Sequence, residues 1–248
     1  MQKTINKIQE LTIHQHKSII IFIIADDCFF LDVNTKNFDF NFNDTLSKIS
    51  YESIKLVSFL HTPSIVPTEL FDKKYRHKYL ETNVSNIKNI EHDLSIDERV
   101  TVVYSTNELI ANILDKKKIK YSVKNYFTLL YDYLNGKKRL TDGLSLYINL
   151  NEDSFDVLIF KSNEFIYFNS FEINDKNEFL YYLLFVIKNY EISNEKDKII
   201  FLGKYDMYSE YYEIANKYSR LDYIIDNRNN QSNIKSPFFF YLNEDNIR

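Results

Sequence analysis

Glycine is scarce in this chain. Only three of its 248 residues are glycine, whereas an average protein holds roughly 7%. Gly136, Gly143 and Gly203 lie far apart, so no loop contains two of them. Loops that bind phosphate need residues that tolerate positive φ and let the backbone approach an anion closely. The composition therefore argues against phosphate chemistry of the glycine-loop kind.

Cysteine and long apolar runs are also nearly absent. The one cysteine, Cys28, rules out an internal disulfide and fits a reducing compartment. The longest apolar run, residues 19–25, is far too short for a membrane span, which needs about 20 residues. It resembles the core of a secretion signal, but Asp26 and Asp27 stand where such a signal needs small residues. We therefore expect a cytoplasmic protein.

The charge pattern gives little reason to expect nucleic-acid binding. The net charge is −4, and the isoelectric point is about 5.8. Basic residues cluster at 73–78, 116–120 and 137–139. Tyr75 and Tyr79 accompany the first cluster, an arrangement that a single-strand binder could use for base stacking. A charge run more often forms the solvated face of a helix, so nucleic-acid binding is kept as an alternative.

The second half of the chain reads as strands followed by alternating helices and strands. The predicted strands cover residues 144–151, 155–160, 165–171, 199–202 and a stretch near Tyr223. Asp175 and Glu178 form a capping-box-like start for a helix with apolar residues at three- and four-residue spacing. A Tyr-rich helix is predicted over 207–218. The resulting order of elements is that of the ribonuclease H-like unit.

The first half begins in the same way, with three short strands. Its predicted strands cover residues 11–15, 19–24, 28–33, 54–60, a stretch near Ile90, 100–104 and 119–122. Its predicted helices cover residues 45–50, 69–80, the segment after Ser105 as far as Leu114, and 124–135. Pro67 suits the entry to the second of these helices, and Gly136 stops the last.

The sequence thus predicts an α/β protein with mixed (α+β) sheets. We expect two tandem ribonuclease H-like lobes in the actin-like ATPase architecture, over residues 1–122 and 123–226. The lobes should pack directly, because no Gly/Ser-rich or Pro-rich linker separates them. Residues 227–248 form a polar tract and an aromatic tail, which either docks as a terminal strand or binds a partner as a tethered motif. The aromatic residues of the tail are Phe238, Phe239, Phe240 and Tyr241.

Three stretches of the chain are similar to a known family. They are residues 62–71 (TPSIVPTELF), residues 146–150 with 155–161 and 168–172 (LYINL, FDVLIFK and FNSFE), and residues 179–186 (FLYYLLFV). On these residues the chain resembles a bacterial family catalogued as domain of unknown function 3822. Members of that family have an actin-like ATPase fold, so the resemblance implies this fold. It implies no established activity.

A nucleotide site in this architecture would need two phosphate hairpins, each with glycines and an acid for Mg²⁺. The first hairpin, residues 16–18, has neither, and the second has acids without glycine. A single glycine–lysine pair stands where adenosine would be contacted. The candidate residues are Asn151, Glu152, Asp153, Gly203 and Lys204. We interpret them as ordinary turn residues and predict no cofactor and no catalytic residue, with ATP binding or turnover as the alternative.

The sequence gives little support for a metal site or for a catalytic cysteine. A nuclease of this fold needs three or four carboxylates around two metals, and Asp206 is one plausible ligand without companions. His14 and His16 lie two apart on a predicted strand and point the same way, but a zinc site needs three or four ligands. We interpret both as surface or interface histidines and Cys28 as a buried strand cysteine. No metal site is predicted.

The leading hypothesis is therefore a catalytically inactive, actin-like scaffold or adaptor that binds an unknown protein partner through its surfaces. The cytoplasmic platform proteins of type II secretion and type IV pili are similar in architecture, which is an analogy of fold only. The alternatives are an ATP-binding switch or weak ATPase, and a nucleic-acid-binding protein.

Overall fold

The chain divides into two compact units, Met1–Asp132 and Tyr133–Arg248. The computed structural model describes residues 8–24, 27–81, 89–106, 108–137, 142–151, 153–202 and 208–224. Each unit contains a mixed five-stranded sheet with helices, so the predicted α/β class with mixed sheets is confirmed.

The first unit begins with three antiparallel strands and continues with parallel ones. Its strands are β1 (Ile8–Gln15), β2 (Ile19–Ile24), β3 (Asp27–Asp32), β4 (Tyr51–Ser58), β5 (Ser64–Pro67), β6 (Ile90–Leu94), β7 (Val100–Ser105) and β8 (Tyr121–Asn125). Its helices are α1 (Phe38–Ser47), α2 (Glu108–Lys116) and α3 (Tyr126–Asn135). The main sheet has the order β3-β2-β1-β4-β8, in which β1, β4 and β8 are parallel.

The second unit repeats this topology. Its elements are β9 (Leu144–Leu150), β10 (Ser154–Lys161), β11 (Glu164–Glu172), α4 (Lys176–Asn189), β12 (Lys198–Leu202), α5 (Ser209–Asn216) and β13 (Leu221–Ile224). The strand order is β11-β10-β9-β12-β13, with β9, β12 and β13 parallel. Three antiparallel strands, a helix, a strand, a helix and a strand therefore occur in both units, as the element order predicts.

The first unit differs by an inserted antiparallel sheet, β5-β7-β6, between β4 and α2. The predicted helix over 69–80 lies in this insertion and is wrong. Short 3₁₀ turns at Thr68–Leu70 and Lys73–Tyr75 stand there instead. Phe71, Tyr75 and Tyr79 stand at four-residue spacing, which favours a helix. In the fold, however, the Tyr79 hydroxyl accepts the Asp72 N–H and donates to the Leu70 carbonyl, so the end of the stretch is bonded back to its start.

The helix α1 starts earlier than predicted, and its sequence explains why. Phe38, Phe40 and Phe42 alternate with polar residues, a pattern of period two that is typical of a strand. In the fold, Phe38, Phe42 and Leu46 form a buried stripe at i, i+4 spacing, whereas Phe40 is 72% exposed. The Phe42 ring packs 5.1 Å from the Phe22 ring of β2. Packing on the sheet therefore overrides the local pattern.

Each main sheet buries apolar residues beneath its pair of helices. In the first unit, Ile110 of α2 and Phe42 of α1 belong to one core with residues of β1, β2 and β4. In the second unit, the Phe179 ring of α4 lies 4.8 Å from Phe155 of β10 and 6.0 Å from Phe201 of β12. These contacts fix each helix on one face of its sheet.

Two predicted helix ends are confirmed. The Asp175 carboxylate accepts the N–H groups of Asn177 at 2.7 Å and Glu178 at 3.0 Å, which caps the start of α4. The helix α3 ends directly before Gly136. The predicted lobe boundary near Val123 falls within β8, a strand of the first sheet.

Residues other than glycine occupy positions that favour glycine. Lys118 after α2 and Glu191 after α4 have φ of 55° and 52°, the left-handed conformation in which glycine commonly ends a helix. Beyond Glu191, the Ile192 N–H donates to the Ile187 carbonyl at 2.9 Å and closes the helix end. A left-handed residue with a side chain costs roughly 1–2 kcal/mol relative to glycine.

Replacing Glu191 by Gly should therefore stabilise the protein by about 0.5–1 kcal/mol, because relief of the left-handed strain exceeds the added entropy of the unfolded chain. Urea denaturation measures the change. The matched variant Glu195→Gly, at an exposed position without positive φ, should not stabilise. An equal effect of the two substitutions would contradict the explanation.

Candidate functional site

The ligands of open α/β sheets bind outside the carboxyl ends of parallel strands. In the first unit these are the ends of β1, β4 and β8, and in the second unit those of β9, β12 and β13. Each of these edges is the candidate site of its own unit. The side chains gathered there decide what the edge can bind.

Three stacked rings stand at the carboxyl edge of the first sheet. His16 follows β1, Phe59 follows β4 and Tyr126 follows β8. The ring centroids of His16 and Phe59 are 4.4 Å apart, and those of Phe59 and Tyr126 are 5.0 Å apart. The residue that follows each of the three strands thus adds an aromatic ring to this edge, and the Tyr126 ring is buried. A phosphate site would instead need converging backbone N–H groups at this place.

His14 lies next to the ring stack and is fully buried. Its ring centroid is 5.1 Å from that of Phe59 and 6.2 Å from that of His16. Burial, together with the neighbouring His16, lowers the pKa of His14 well below its ordinary value, so the ring is neutral at physiological pH. The interpretation of His14 as a surface histidine is wrong. Residues 11–15 of β1 are all buried, so both faces of this strand are covered.

At the carboxyl edge of the second sheet, polar side chains bind one another. The Asp156 carboxylate of β10 accepts hydrogen bonds from the side-chain amides of Asn149 at 2.9 Å and Asn151 at 3.0 Å. Asn149 and Asp156 are opposite each other in the β9–β10 ladder and fully buried. A buried carboxylate is the kind of group from which ligand sites are built. Here its hydrogen bonds also fix the two amides.

The two hairpins at the phosphate positions are closed by their own backbone. In the first, the His16 N–H donates to the Ile19 carbonyl at 3.0 Å. In the second, the Asn151 N–H donates to the Ser154 carbonyl at 2.8 Å. Both N–H groups are therefore engaged within their turns, whereas anion-binding hairpins direct such donors at the ligand.

Two of the predicted cleft residues, Asn151 and Asp153, lie in the described part of the chain. Asn151 belongs to the Asp156 cluster, while Asp153 is exposed and accepts the Ile173 N–H with its carbonyl at 2.9 Å. The side chain of Cys28 is outside the described part, so its burial stays a prediction. The other predicted residues that lie outside the described part are Glu152, Gly203, Lys204, Asp206, Phe238, Phe239, Phe240 and Tyr241.

A further polar cluster joins the inserted sheet to the start of α3. Asp93 of β6 accepts hydrogen bonds from the Asn125 N–H at 2.7 Å and from the hydroxyls of Thr128 at 2.9 Å and Tyr104 at 3.0 Å. Burial raises the pKa of Asp93, and these three hydrogen bonds oppose the rise. The cluster fixes the junction of β8 and α3, and with it the position of Tyr126 in the ring stack.

Two more carboxylates hold α3 to the turn between β6 and β7. Asp132 accepts the Ile96 N–H at 2.8 Å, and Asp97 accepts the Tyr131 hydroxyl at 3.0 Å. Burial raises the pKa of Asp132 to about 6, and its second oxygen is buried with no hydrogen-bond partner in the described part of the chain. Burial also acts to raise the pKa of Asp97, but hydrogen bonds, led by that from Ser95, outweigh it and lower this pKa.

Sequence reasoning missed these carboxylates, although one signal was present. Asp156 stands alone among the apolar residues of β10, and a charge inside a buried strand requires hydrogen-bonding partners. Asp93 and Asp132 give no local signal, because their partners come from elements far away in the chain. Only the fold brings those groups together.

The basic cluster at 73–78 has its aromatic residues engaged locally. The Lys78 ammonium lies 5.0 Å from the centre of the Tyr75 ring, and the Tyr79 hydroxyl bonds to the Leu70 carbonyl. This arrangement gives no added support to nucleic-acid binding.

Neither a metal cluster nor a membrane-spanning helix is found among the residues that the structure describes. No three His, Cys, Asp or Glu side chains in that part of the chain are arranged to hold a metal ion. No helix there has the length and apolar character needed to cross a bilayer. The carboxylates of Asp93, Asp97 and Asp132 accept hydrogen bonds from protein donors.

Residues 11–221 match the family described as "Protein of unknown function (DUF3822)". The chain belongs to this family. The match runs from β1 to the first residue of β13, so it includes both candidate edges of this family member. None of the curated proteins matches the sequence.

Solved structures show the fold of this DUF3822 member. A protein from Bacteroides thetaiotaomicron, described as having an actin-like ATPase fold and unknown function, matches with a TM-score of 0.74 and 20% identity over 91% of this chain and 93% of that one. A chain of a PilM–PilN type IV pilus biogenesis complex matches with a TM-score of 0.51 and 9% identity, again over 91% and 93%. The predicted actin-like ATPase fold is therefore confirmed.

Replacing Asp132 by Asn should stabilise this DUF3822 protein at pH 7.5 but not at pH 4. The pKa of Asp132 is raised to about 6 in the folded state. Its stabilising contribution is therefore fully present below its unfolded pKa of about 4, and it is lost as the pH rises through 6. Asn keeps an oxygen for the Ile96 N–H without the buried charge. We expect a gain of about 1–2 kcal/mol at pH 7.5.

Urea denaturation of wild type and Asp132→Asn at several pH values from 4 to 7.5 measures this difference. Asp39→Asn, at an exposed site on α1, controls for the general loss of one negative charge. A stability difference for Asp132→Asn that does not grow with pH would contradict the assignment.

Replacing Asp156 by Ala should destabilise the protein by about 2–4 kcal/mol, because it leaves the amides of Asn149 and Asn151 without their acceptor. The measurement is again urea denaturation. Asp222→Ala, at an exposed position of β13 in the same sheet, should change stability by less than about 0.5 kcal/mol. If Asp156→Ala were instead more stable than wild type, the cluster would not serve to stabilise the fold. It would then resemble a ligand site, in which residues are kept for binding at a cost in stability.

Proposed function

We propose that this protein is a catalytically inactive scaffold or adaptor of the actin-like fold that acts in the cytoplasm by binding a protein partner. The stack of His16, Phe59 and Tyr126 at the carboxyl edge of the first sheet supports this most strongly. An ATPase of this fold needs backbone donors and a magnesium-holding acid at that edge. The three strand ends carry rings there, beside the neutral, buried His14.

The second edge supports the same proposal through different residues. Asp156 is a carboxylate, but the amide donors of Asn149 and Asn151 are turned towards it. A phosphate that used these donors would have to take them from the carboxylate and would lie beside its negative charge. The arrangement therefore favours a structural role for the cluster.

A structural relative provides a precedent for action through protein contacts. The PilM–PilN assembly is described as a type IV pilus biogenesis complex, and one of its chains has the same fold. One fold can serve unrelated functions, so the relative supports protein binding in general and no particular partner.

An ATP-binding switch is the second candidate, and the Asp156 cluster is the observation that favours it. A buried carboxylate at the carboxyl edge of parallel strands stands where a nucleotide-binding member of such a fold would place functional groups. In this case, the two amides would release Asp156 when nucleotide and magnesium arrive.

Thermal unfolding with and without Mg-ATP separates the two candidates. We expect no shift of the melting temperature specific to nucleotide, when Mg-ATP and Mg-ADP at millimolar concentration are compared with magnesium alone. A ligand at 100 times its dissociation constant would stabilise by about 2.7 kcal/mol, which corresponds to several degrees for a chain of this size. Phosphate release from ATP should not exceed the rate without protein.

A shift specific to nucleotide would defeat the scaffold proposal. Its loss in Asn151→Ala, measured against the melting temperature of that variant without ligand, would place the nucleotide at the second edge. Asp222→Ala serves as the control that should retain the shift.

A further inference from the structure

The strand β3 forms an open edge of the first sheet. Within the described residues it pairs with β2 alone. Phe29 and Phe30 on this strand are 49% and 45% exposed. Phe29 is opposite Phe22, whose ring packs on α1, and Phe30 is opposite Ile21. Because opposite residues share a face, the two exposed rings lie on the two faces of the sheet, one on each side of its edge.

The register of β2 and β3 shows which backbone groups point away from the sheet. The Val33 N–H donates to the Ser18 carbonyl at 2.9 Å, so this pair is a hydrogen-bonded one. Hydrogen-bonded and non-hydrogen-bonded pairs alternate along an antiparallel ladder. Phe30 and Asp32 are therefore in non-hydrogen-bonded pairs, so the N–H and C=O groups of Phe30 and the N–H of Asp32 point outwards. The Asp32 carbonyl accepts the Thr35 N–H at 3.3 Å and the Thr35 hydroxyl at 3.0 Å within the following turn. An added strand would find its main-chain partners there.

Natural proteins usually protect such an edge with lysine, proline, a bulge or a very short strand. The strand β3 has six residues and holds no lysine, proline or glycine, and its pairing with β2 is continuous in register. Its exposed centre is two phenylalanines. Such an edge is suited to β-augmentation, in which a partner segment adds a strand to the sheet.

The charges around β3 identify the kind of segment that fits. Asp27 begins the strand and Asp32 ends it. Together with α1, which packs beside β3, and the turn between them, residues 27–48 contain four aspartates and two lysines. Lys48 pairs with Asp44 at 2.5 Å, so the segment keeps an excess of negative charge. A second copy of β3 would place aspartate opposite aspartate at both ends in an antiparallel in-register pair, which is destabilising. A segment with basic residues at its two ends would instead be attracted by this excess of aspartate.

We propose that the β3 edge binds an extended segment of a partner protein, with an uncharged, β-branched or apolar centre flanked by lysine or arginine, as a sixth strand of the first sheet. Main-chain hydrogen bonds to Phe30 and to the Asp32 N–H supply pairing, Phe29 and Phe30 supply apolar contact on the two faces, and the excess of aspartate in and beside the strand favours the basic ends. The inference rests on the proposed scaffold function, because it names the surface through which that scaffold meets its partner.

Fluorescence anisotropy with synthetic heptapeptides tests the proposal on the full chain. The first probe has lysine at both ends and alternating valine and threonine between them, and it should bind when titrated to about 1 mM. The second has glutamate at both ends, and the third is the lysine peptide with its interior amides N-methylated. Both should bind at least about tenfold more weakly, because one loses charge complementarity and the other loses its backbone donors.

Two matched variants locate the binding surface. Phe30→Lys places a like charge and a solvated side chain on the edge, and it should weaken binding of the lysine peptide by about tenfold. Phe40→Lys makes the same substitution at the 72% exposed ring of α1 and should leave binding unchanged. Melting temperatures of both variants verify that they fold. If Phe30→Lys does not fold, the three peptides still test the proposal on the wild-type protein alone.

Absence of binding by the lysine peptide, equal binding of the glutamate or N-methylated peptide, or equal effects of the two variants would each overturn the proposal. A wild-type dimer that Phe30→Lys dissociates would identify a second copy as the occupant and overturn it as well. These outcomes are independent of the nucleotide measurement. Peptide binding can fail while the scaffold proposal stands, and a nucleotide shift can defeat the scaffold while the β3 edge still binds peptide.

Discussion

Parallel pairing of β1 with β4 and β8, and of β9 with β12 and β13, is the constraint on which the rest of this structure depends. Parallel strands all end at one edge of their sheet, so the residues that follow them meet there whatever their separation in the chain. His16, Phe59 and Tyr126 stack for this reason. The hydrogen bonds of Asp93 then stabilise the last of these strand ends, because they hold the junction from which Tyr126 projects.

The scarcity of glycine affects the turns that connect the strands and helices. A side chain at Gly143, just before β9, would collide with the carbonyl oxygen of Lys196, so one of the few glycines is required for packing. Elsewhere, Lys118 and Glu191 adopt left-handed conformations at helix ends without glycine. The hairpins beginning at His16 and Asn151 close on their own backbone N–H groups. In the described residues, these turns thus form without the glycine-rich loops on which phosphate binding relies.

The two units share a topology but differ in chemistry. The first edge is aromatic and holds a neutral, buried His14, while the second is polar and centred on Asp156. The hairpins at both edges close on the N–H groups of His16 and Asn151, whereas β3 offers outward backbone groups and two half-exposed rings. The outward groups of β3 therefore lie on the rim of the first sheet, where the proposed partner segment would bind.

The sequence by itself determined the order of strands and helices in the second unit, because the periods of apolar residues and the capping of α4 by Asp175 are local signals. In the first unit it failed at the inserted sheet, where 3₁₀ turns replace the predicted helix. It also shows that the hairpins at residues 16–18 and 149–154 contain no glycine, and the prediction that they bind no phosphate rests on this composition. Only the tertiary structure decided that α1 is a helix from Phe38 onwards, that His14 is buried and that Asp132 retains its proton up to about pH 6. Each of these depends on groups brought together from distant parts of the chain, and burial and pairing between such groups leave no periodic trace in the sequence.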